Sequence, residues 1–222
     1  IKTQFGKLKG AVNRKNKKSK QRAFEACKQA LLNGVDNLKH HMENMAKYGI
    51  PAVVCINHFE SDTENETKAL REWCESQGYK VAFCDAFTKG AVGANDLALL
   101  VKETLDTTKS NYHPLYNKND DIKTKIDTIC KEIYRCEEVV YLDKALQDIE
   151  TYKKLGFDKT PICIAKTPQS FTDDPKVYGA PIGTTIHIRE VKLSAGANFI
   201  VALTGAVMTM PGLPKVPAAE KI

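Results

Sequence analysis

Two aromatic side chains, Phe59 and Phe87, stand just after two short apolar runs, Ala52–Ile56 and Tyr79–Cys84, that the sequence predicts to be β-strands. A phenyl ring offers a flat face on which a flat heteroaromatic ligand can stack. In a parallel sheet, ligands lie beyond the carboxyl ends of the strands, which is where both rings would stand. Position alone favours a simpler interpretation, that each ring fills core at the root of its loop.

The same two loops carry further residues that could assist a ligand. The candidates are Asn57, His58, Lys89 and Gly90. An imidazole can transfer a proton near neutral pH, but an exposed loop histidine without such a role is at least as good an interpretation of His58. Both interpretations of this residue remain open.

Familiar catalytic motifs are absent from the sequence. It contains no G-x-x-x-x-G-K-[ST], G-x-G-x-x-G, H-E-x-x-H or G-x-S-x-G. Asp173 and Asp174 precede Pro175, a pattern that favours a plain turn over paired catalytic carboxylates. His187 stands between two isoleucines, as on one face of a strand. We therefore predict no metal site and no phosphate loop within this chain.

The elements that position these residues can be predicted from apolar spacing. Apolar residues recur at helical intervals from Phe24 to Met45, which predicts one long helix that Gly34 loosens in the middle. The continuous run Ala52–Ile56 suits a strand buried on both faces. Ser61 and Glu64 form the pattern of a capping box that starts the next helix.

Helices and strands alternate as far as residue 111, which predicts an α/β part over residues 23–111 with a parallel sheet flanked by helices. A smaller α+β subdomain is predicted over residues 112–222. Its helices follow the spacing of Ile122 to Ile133 and of Leu142 to Ile149. Its strands are predicted at Ile162–Ala165, Thr185–Leu193 and Phe199–Leu203.

The positive charge is local. The chain has 33 Lys and Arg against 27 Asp and Glu, and residues 1–30 hold ten of the basic residues with one acid, Glu25. We interpret residues 1–22 as a flexible basic arm. Binding of nucleic acid through phosphate neutralisation is the alternative, which we favour less because no aromatic residues alternate with the charges.

The seven cysteines form no C-x-x-C pair, and Cys55, Cys84 and Cys163 lie in apolar runs, where a thiol behaves as a small hydrophobe. This usage indicates a reducing compartment, and we predict the cytoplasm. No apolar run is long enough to span a membrane. Because the sequence begins with Ile1, we expect a fragment or a processed chain.

Three longer segments carry a family resemblance. The segments 51–63, 161–175 and 189–214 match in order and spacing, and they include Pro-Ala-Val-Val-Cys-Ile-Asn-His-Phe, Pro-Ile-Cys-Ile-Ala-Lys-Thr and Met-Thr-Met-Pro-Gly-Leu-Pro. Together they resemble the C-terminal part of formate–tetrahydrofolate ligases. The agreement runs from about Gly34 to Ile222.

This resemblance implies an enzyme that phosphorylates formate with ATP and transfers the formyl group from formyl phosphate to tetrahydrofolate. It implies ATP, Mg²⁺, tetrahydrofolate and a monovalent cation as substrates and cofactors, and a homo-oligomer of the complete enzyme. Phe59 and Phe87 match the two aromatic residues that enclose the pterin. The fold implied for residues 23–111 is a part of a P-loop NTPase-like domain that lacks the phosphate loop.

An alternative is a non-catalytic folate-binding remnant or a partner subunit, because several positions depart from the family pattern. They are His58, Phe87, Ala91, Asn198 and Ala206, where the family commonly has Arg or Lys, Trp, Gly, Gly and Asp. A phenyl ring has a smaller face than an indole, so the resemblance predicts weaker stacking at Phe87.

Overall fold

The computed structural model describes residues 17–205, with side chains from Glu25 onward. The chain divides into two compact units, with the boundary between Leu115 and Tyr116. The departure at Ala206 and the matching segment 208–214 lie outside the described residues. So do residues 1–16 of the basic arm, whereas residues 17–22 already belong to the first helix.

The first unit alternates helices and strands. In chain order its elements are α1 (Lys17–Leu32), α2 (Val35–Lys47), β1 (Val53–Asn57), α3 (Glu64–Ser76), β2 (Lys80–Cys84), α4 (Ala86–Lys89), a 3₁₀ turn (Gly90–Ala94) and α5 (Asn95–Thr107). Strands β1 and β2 pair in parallel, and α3 and α5 contact both of them. The predicted α/β class, with helices flanking a parallel sheet, is confirmed for this unit.

The prediction of one long helix from Phe24 to Met45 is wrong, because the chain breaks between α1 and α2. The amide of Gly34 donates to the carbonyl of Leu31, three residues back, instead of continuing the α-helical ladder. Glycine costs a helix interior roughly 1 kcal/mol relative to alanine, which accounts for a break at this position.

The capping box of α3 lies two residues later than predicted. The amide of Thr63 donates to Glu66 Oε2 over 2.9 Å, and the amide of Glu66 donates to Thr63 Oγ1 over 3.3 Å. Ser61 and Glu64 satisfy the same sequence pattern, but the helix begins at Glu64, which makes Thr63 the capping residue.

We expect Thr63→Ala to lower the free energy of unfolding by about 0.5–2 kcal/mol, the usual cost of losing a cap hydroxyl. Chemical denaturation measures the change. Thr63→Ser is the matched control, since it keeps the hydroxyl and should retain most of the stability. Equal midpoints for the two variants would show that the cap contributes nothing.

The apolar run Ala52–Ile56 predicts a strand buried on both faces, and this prediction is wrong for β1. Val54 and Ile56 are buried, whereas Cys55 and Asn57 are exposed. Alternate side chains of a strand point to opposite faces of the sheet, so within the described residues one face of β1 is covered and the other is open. Cys163 is also exposed, so of the three cysteines that lie in apolar runs only Cys84 is buried.

The second unit is built on a four-stranded sheet. Its elements are α6 (Ile122–Tyr134), β3 (Cys136–Tyr141), α7 (Asp143–Lys154), β4 (Ile162–Ala165), β5 (Thr184–Ser194), a 3₁₀ turn (Ala195–Ala197) and β6 (Phe199–Thr204). The strand order is β3-β5-β6-β4. The pair β5–β6 is antiparallel, and the two outer pairs are parallel.

The core of the second unit lies between this sheet and its helices. The residues that form it include Ile122, Ile126 and Cys130 of α6, Ala145 and Ile149 of α7, and Ile186, Ile188, Val191, Ile200 and Ala202 of the central strands. Burial raises the pKa of the Cys130 thiol, so this cysteine packs as a neutral apolar group.

A lysine also lies in this core, on the inner face of α6. The side chain of Lys125 is buried, and its ammonium donates to the carbonyls of Lys159 and Thr160 over 2.7 and 3.3 Å. It also lies 5.6 Å from the ring centroid of Tyr116. These contacts fasten the segment before β4 to α6, because the ammonium finds acceptors there that replace water.

The segment around Asp173 is more than a plain turn. Asp173 Oδ2 accepts from the backbone amide of His187 over 2.9 Å and lies 2.8 Å from its ring Nδ1. The carboxylate therefore ties the loop before β5 to the strand itself. His187 stands exposed between buried Ile186 and Ile188, as the alternation had predicted.

Candidate functional site

The two aromatic rings come together at one end of the sheet of the first unit. Parallel pairing aligns Asn57, the last residue of β1, with Cys84, the last residue of β2. The loops that follow therefore leave the same edge side by side. The ring centroids of Phe59 and Phe87 lie 6.1 Å apart, with their planes inclined by 45°.

Burial distinguishes a binding ring from a packing ring. The Phe87 side chain is 80% exposed, so the interpretation that it fills core is wrong for this residue. Phe59 is intermediate in exposure. A large exposed aromatic side chain beside a second one is unusual unless the pair meets a ligand or a partner.

The ring spacing indicates a closed pair. A flat ligand in contact with two rings needs their planes about 7 Å apart, since each contact takes about 3.5 Å. At 6.1 Å and 45° the two rings touch one another instead. Entry of a ligand therefore requires the rings to part slightly and turn parallel, and the exposure of Phe87 leaves room for that movement.

Backbone contacts hold the first loop. The amide of His58 donates to the carbonyl of Cys84 over 2.9 Å, which joins the loop to the end of β2. The Phe59 amide donates to Asp62 Oδ2 over 3.0 Å, and the Asp62 amide donates back to the Phe59 carbonyl over 2.8 Å. This tight turn fixes the backbone that carries Phe59.

The second loop is closed by a glycine contact. The amide of Asp85 donates to the carbonyl of Gly93 over 2.9 Å, and a Cβ at Gly93 would lie 2.3 Å from the carbonyl oxygen of Asp85. Only glycine permits so close an approach. Gly90, with φ of +60°, turns the chain from α4 into the 3₁₀ segment. Phe87 projects from the short helix between these contacts.

A buried carboxylate joins the two loops. Asp85 Oδ1 lies 3.3 Å from His58 Nδ1, and Asp85 Oδ2 lies 3.1 Å from Lys89 Nζ. The contact with Lys89, followed by that with His58, lowers the pKa of Asp85 below its ordinary value. The carboxylate is therefore ionised throughout the neutral range. The His58 ring also lies against Phe83, with centroids 4.9 Å apart.

All six residues selected from the sequence lie in this pair of loops or at their start. They are Asn57, His58, Phe59, Phe87, Lys89 and Gly90. Sequence reasoning missed Asp85. Two signals could have indicated it: an acid directly after a buried strand, and a lysine four residues further on, the helical spacing of an ion pair.

Neither a metal cluster nor the groove beside β2 adds to this site in the part of the chain that the structure describes. No cluster of three or more His, Cys, Asp or Glu side chains in residues 17–205 is arranged to hold a metal ion. A groove of about 290 Å³ runs along β2 and is lined by Val81, Ala82 and Phe83 together with side chains of α3 and α5. None of its lining residues belongs to the two loops.

None of the described helices is both long and apolar enough for a membrane span.

Comparison with known proteins identifies one family. The family model for formate–tetrahydrofolate ligase matches residues 6–222. The formate–tetrahydrofolate ligase of Pelagibacter ubique (strain HTCC1062) is 46% identical over 194 residues, which cover 87% of this chain and 35% of that protein. The chain belongs to the formate–tetrahydrofolate ligase family. It spans about a third of the length of this curated relative.

Proposed function

We propose that the two loops of the first unit form the pterin side of a tetrahydrofolate site, in which Phe59 and Phe87 stack on opposite faces of the ring. The observation that carries this proposal is the ring pair itself. It stands at the carboxyl ends of two neighbouring parallel strands with centroids 6.1 Å apart, and Phe87 is 80% exposed. Membership of the ligase family supports the choice of ligand.

The reaction we propose is the one that the family resemblance implies. ATP phosphorylates formate and leaves as ADP. N10 of tetrahydrofolate then attacks the carbonyl carbon of formyl phosphate, and phosphate and the N10 proton leave to give 10-formyltetrahydrofolate. Stacking contributes by holding the pterin in one plane, which fixes the direction from which N10 approaches. Positioning of this kind supplies much of the catalysis when two substrates must meet.

The polar residues of the loops take supporting roles in this proposal. The ammonium of Lys89 has three donors, and the contact with Asp85 uses one of them, so the others can bind an anionic oxygen of a substrate. Asn57 is exposed at the end of β1, where its amide can pair with the polar edge of a pterin. Gly90 and His58 shape the two loops beside the ring pair.

The nucleotide side of the site belongs to the same proposal. The sequence has no glycine-rich phosphate loop, and the chain spans 35% of its curated relative. We assign the phosphate loop that binds ATP, with the rest of the P-loop NTPase-like domain to which residues 23–111 would belong, to the remainder of a complete enzyme, which would be a cytoplasmic homo-oligomer. Mg²⁺ would enter with the phosphates of ATP, as is usual for this ion. A monovalent cation would be the second metal cofactor of the complete enzyme.

Single substitutions of the two rings test the pterin assignment. We expect Phe59→Ala and Phe87→Ala each to weaken binding of tetrahydrofolate about five- to a hundredfold, because one stacked ring contributes about 1–3 kcal/mol. Calorimetric titration measures the affinity. Tyr112→Ala is the control, since Tyr112 is another exposed aromatic residue of the same unit, outside the loops.

Thermal melting separates binding from packing. Phe87→Ala should melt close to the wild-type temperature, because the ring is mostly exposed. A large loss of stability with unchanged affinity in both variants would make the rings structural and would remove the site assignment. A wild-type protein that does not bind tetrahydrofolate would also contradict the proposal.

A further inference from the structure

Asp85 occupies the first position before the short helix α4, yet it does not cap that helix. Its side chain makes no hydrogen bond to the amides of the first turn. The carboxylate instead turns toward His58 and Lys89, and it is almost fully buried, with 8% of the side chain exposed. A buried carboxylate requires partners. Here His58 comes from the first loop, whereas Lys89 belongs to the same loop as Asp85 itself.

Each partner of Asp85 lies close in sequence to one of the two rings. His58 directly precedes Phe59 on the first loop. Lys89 follows Phe87 by two residues and belongs to the same four-residue helix. One oxygen of Asp85 faces each partner, over 3.3 and 3.1 Å. The carboxylate thus bridges the two segments that carry the rings.

We propose that Asp85 is a positioning residue that sets the separation of Phe59 and Phe87 by bridging His58 and Lys89. This inference rests on the proposed function, since the separated rings are the assigned pterin site. We assign Asp85 no contact with the ligand, because only 8% of its side chain is exposed. Its effect passes through the backbone of His58 on one side and through α4 on the other.

The contacts of Asp85 with His58 and Lys89 fit both the closed ring pair and the exposure of Lys89. The closed ring pair needs a movement of about 1 Å to admit a flat ligand, and a bridge with one exposed member can allow that without releasing the loops. Lys89 is that member, with 63% of its side chain exposed, while Asp85 and the His58 ring stay largely enclosed. We therefore expect the second loop to move and the first to stay.

The first arm of the test uses protein without ligand. Asp85→Asn keeps the shape and removes the charge, and Lys89→Met removes the ion pair that orients the Asp85 carboxylate within the second loop. The readout is the NOE between the rings of Phe59 and Phe87, whose centroids lie 6.1 Å apart. We expect the NOE in the wild type and its loss in both variants, with melting temperatures near that of the wild type.

The matched control is Asp106→Asn. Asp106 pairs with Lys102 at the same four-residue spacing over 2.8 Å, but the pair is exposed on α5, away from the loops. This variant should keep the ring NOE. An NOE that persists in Asp85→Asn and Lys89→Met would overturn the role of Asp85, whatever the ligand of the site.

The second arm measures affinity for tetrahydrofolate. We expect Asp85→Asn to weaken binding about three- to tenfold, in the range typical of coupled neighbouring residues, with Asp106→Asn unchanged. Unchanged affinity in Asp85→Asn after loss of the NOE would also overturn the positioning role. Failure of the wild type to bind tetrahydrofolate would instead remove the proposed function, and the ligand-free NOE would still decide whether Asp85 positions the rings.

Discussion

Replacement of both Phe59 and Phe87 by alanine is expected to remove nearly all affinity for tetrahydrofolate. Each stacked ring contributes about 1–3 kcal/mol, so the loss of two corresponds to an affinity about 30-fold to more than 10⁴-fold lower. The effect exceeds that of either single change because the pterin then has no flat surface on either side. Calorimetric titration against the wild type measures the loss.

Two companion variants make the double substitution specific. Phe59→Leu combined with Phe87→Leu keeps apolar bulk but has no flat face, so it should lose most of the affinity as well. Phe87→Trp restores the residue that is usual in the family and should tighten binding through a larger face. Retention of near wild-type affinity by the leucine pair would mean that apolar contact, not stacking, binds the ligand.

Gly49→Ala is expected to produce the largest loss of stability, about 2–5 kcal/mol. Gly49 ends α2 with φ of +67°, and a Cβ there would lie 2.0 Å from the carbonyl oxygen of Asn111. The left-handed conformation costs an L-residue about 1–2 kcal/mol, and the clash adds about 1–3 kcal/mol. The hydrogen bond from the Asn111 amide to the Gly49 carbonyl, 2.9 Å long, would have to shift.

Gly78→Ala is the matched control for this effect. Gly78 follows α3 with φ of +75°, but a Cβ there would meet nothing within 4 Å. Both variants carry the same conformational cost, and only Gly49→Ala carries the clash. Denaturation of the two variants side by side isolates the steric part. Equal destabilisation would mean that the segment around Asn111 yields without cost.

Local sequence patterns predicted the elements of the first unit well. Short apolar runs with helix- and strand-breaking residues on either side indicated β1 and β2. The positions of Phe59 and Phe87 just after these runs indicated the two aromatic candidates. The capping box was misplaced because Ser61–Glu64 and Thr63–Glu66 both satisfy the pattern, and only the residue where α3 begins decides between them. Gly34 stands in the middle of a helical apolar pattern, and the pattern alone does not show that the helix breaks there.

Contacts between distant segments were not predictable in the same way. Asp85 and His58 are 27 residues apart, and nothing in either local sequence indicates that they meet. Nothing in the local sequence around Lys125 indicates that this lysine is buried, with two carbonyl acceptors supplied by residues 159 and 160. The exposure of Cys55 depends on what packs against that face of β1, which no single apolar run reveals.

The strand order of the second unit has a consequence for the time at which this sheet can form during protein synthesis. Strand β6 (Phe199–Thr204) is the last of the described strands to leave the ribosome, yet it lies between β5 and β4. Strand β4 (Ile162–Ala165) is therefore synthesised before β6, its strand partner among the described residues, and it stays unpaired while β5 is synthesised. The antiparallel β5–β6 pair, joined by the short turn Ala195–Ala197, is the local contact that can form first, and the long-range parallel pairs follow at a higher cost in chain entropy. A nascent chain that stops before Phe199 would expose a strand edge to its neighbours on the polysome.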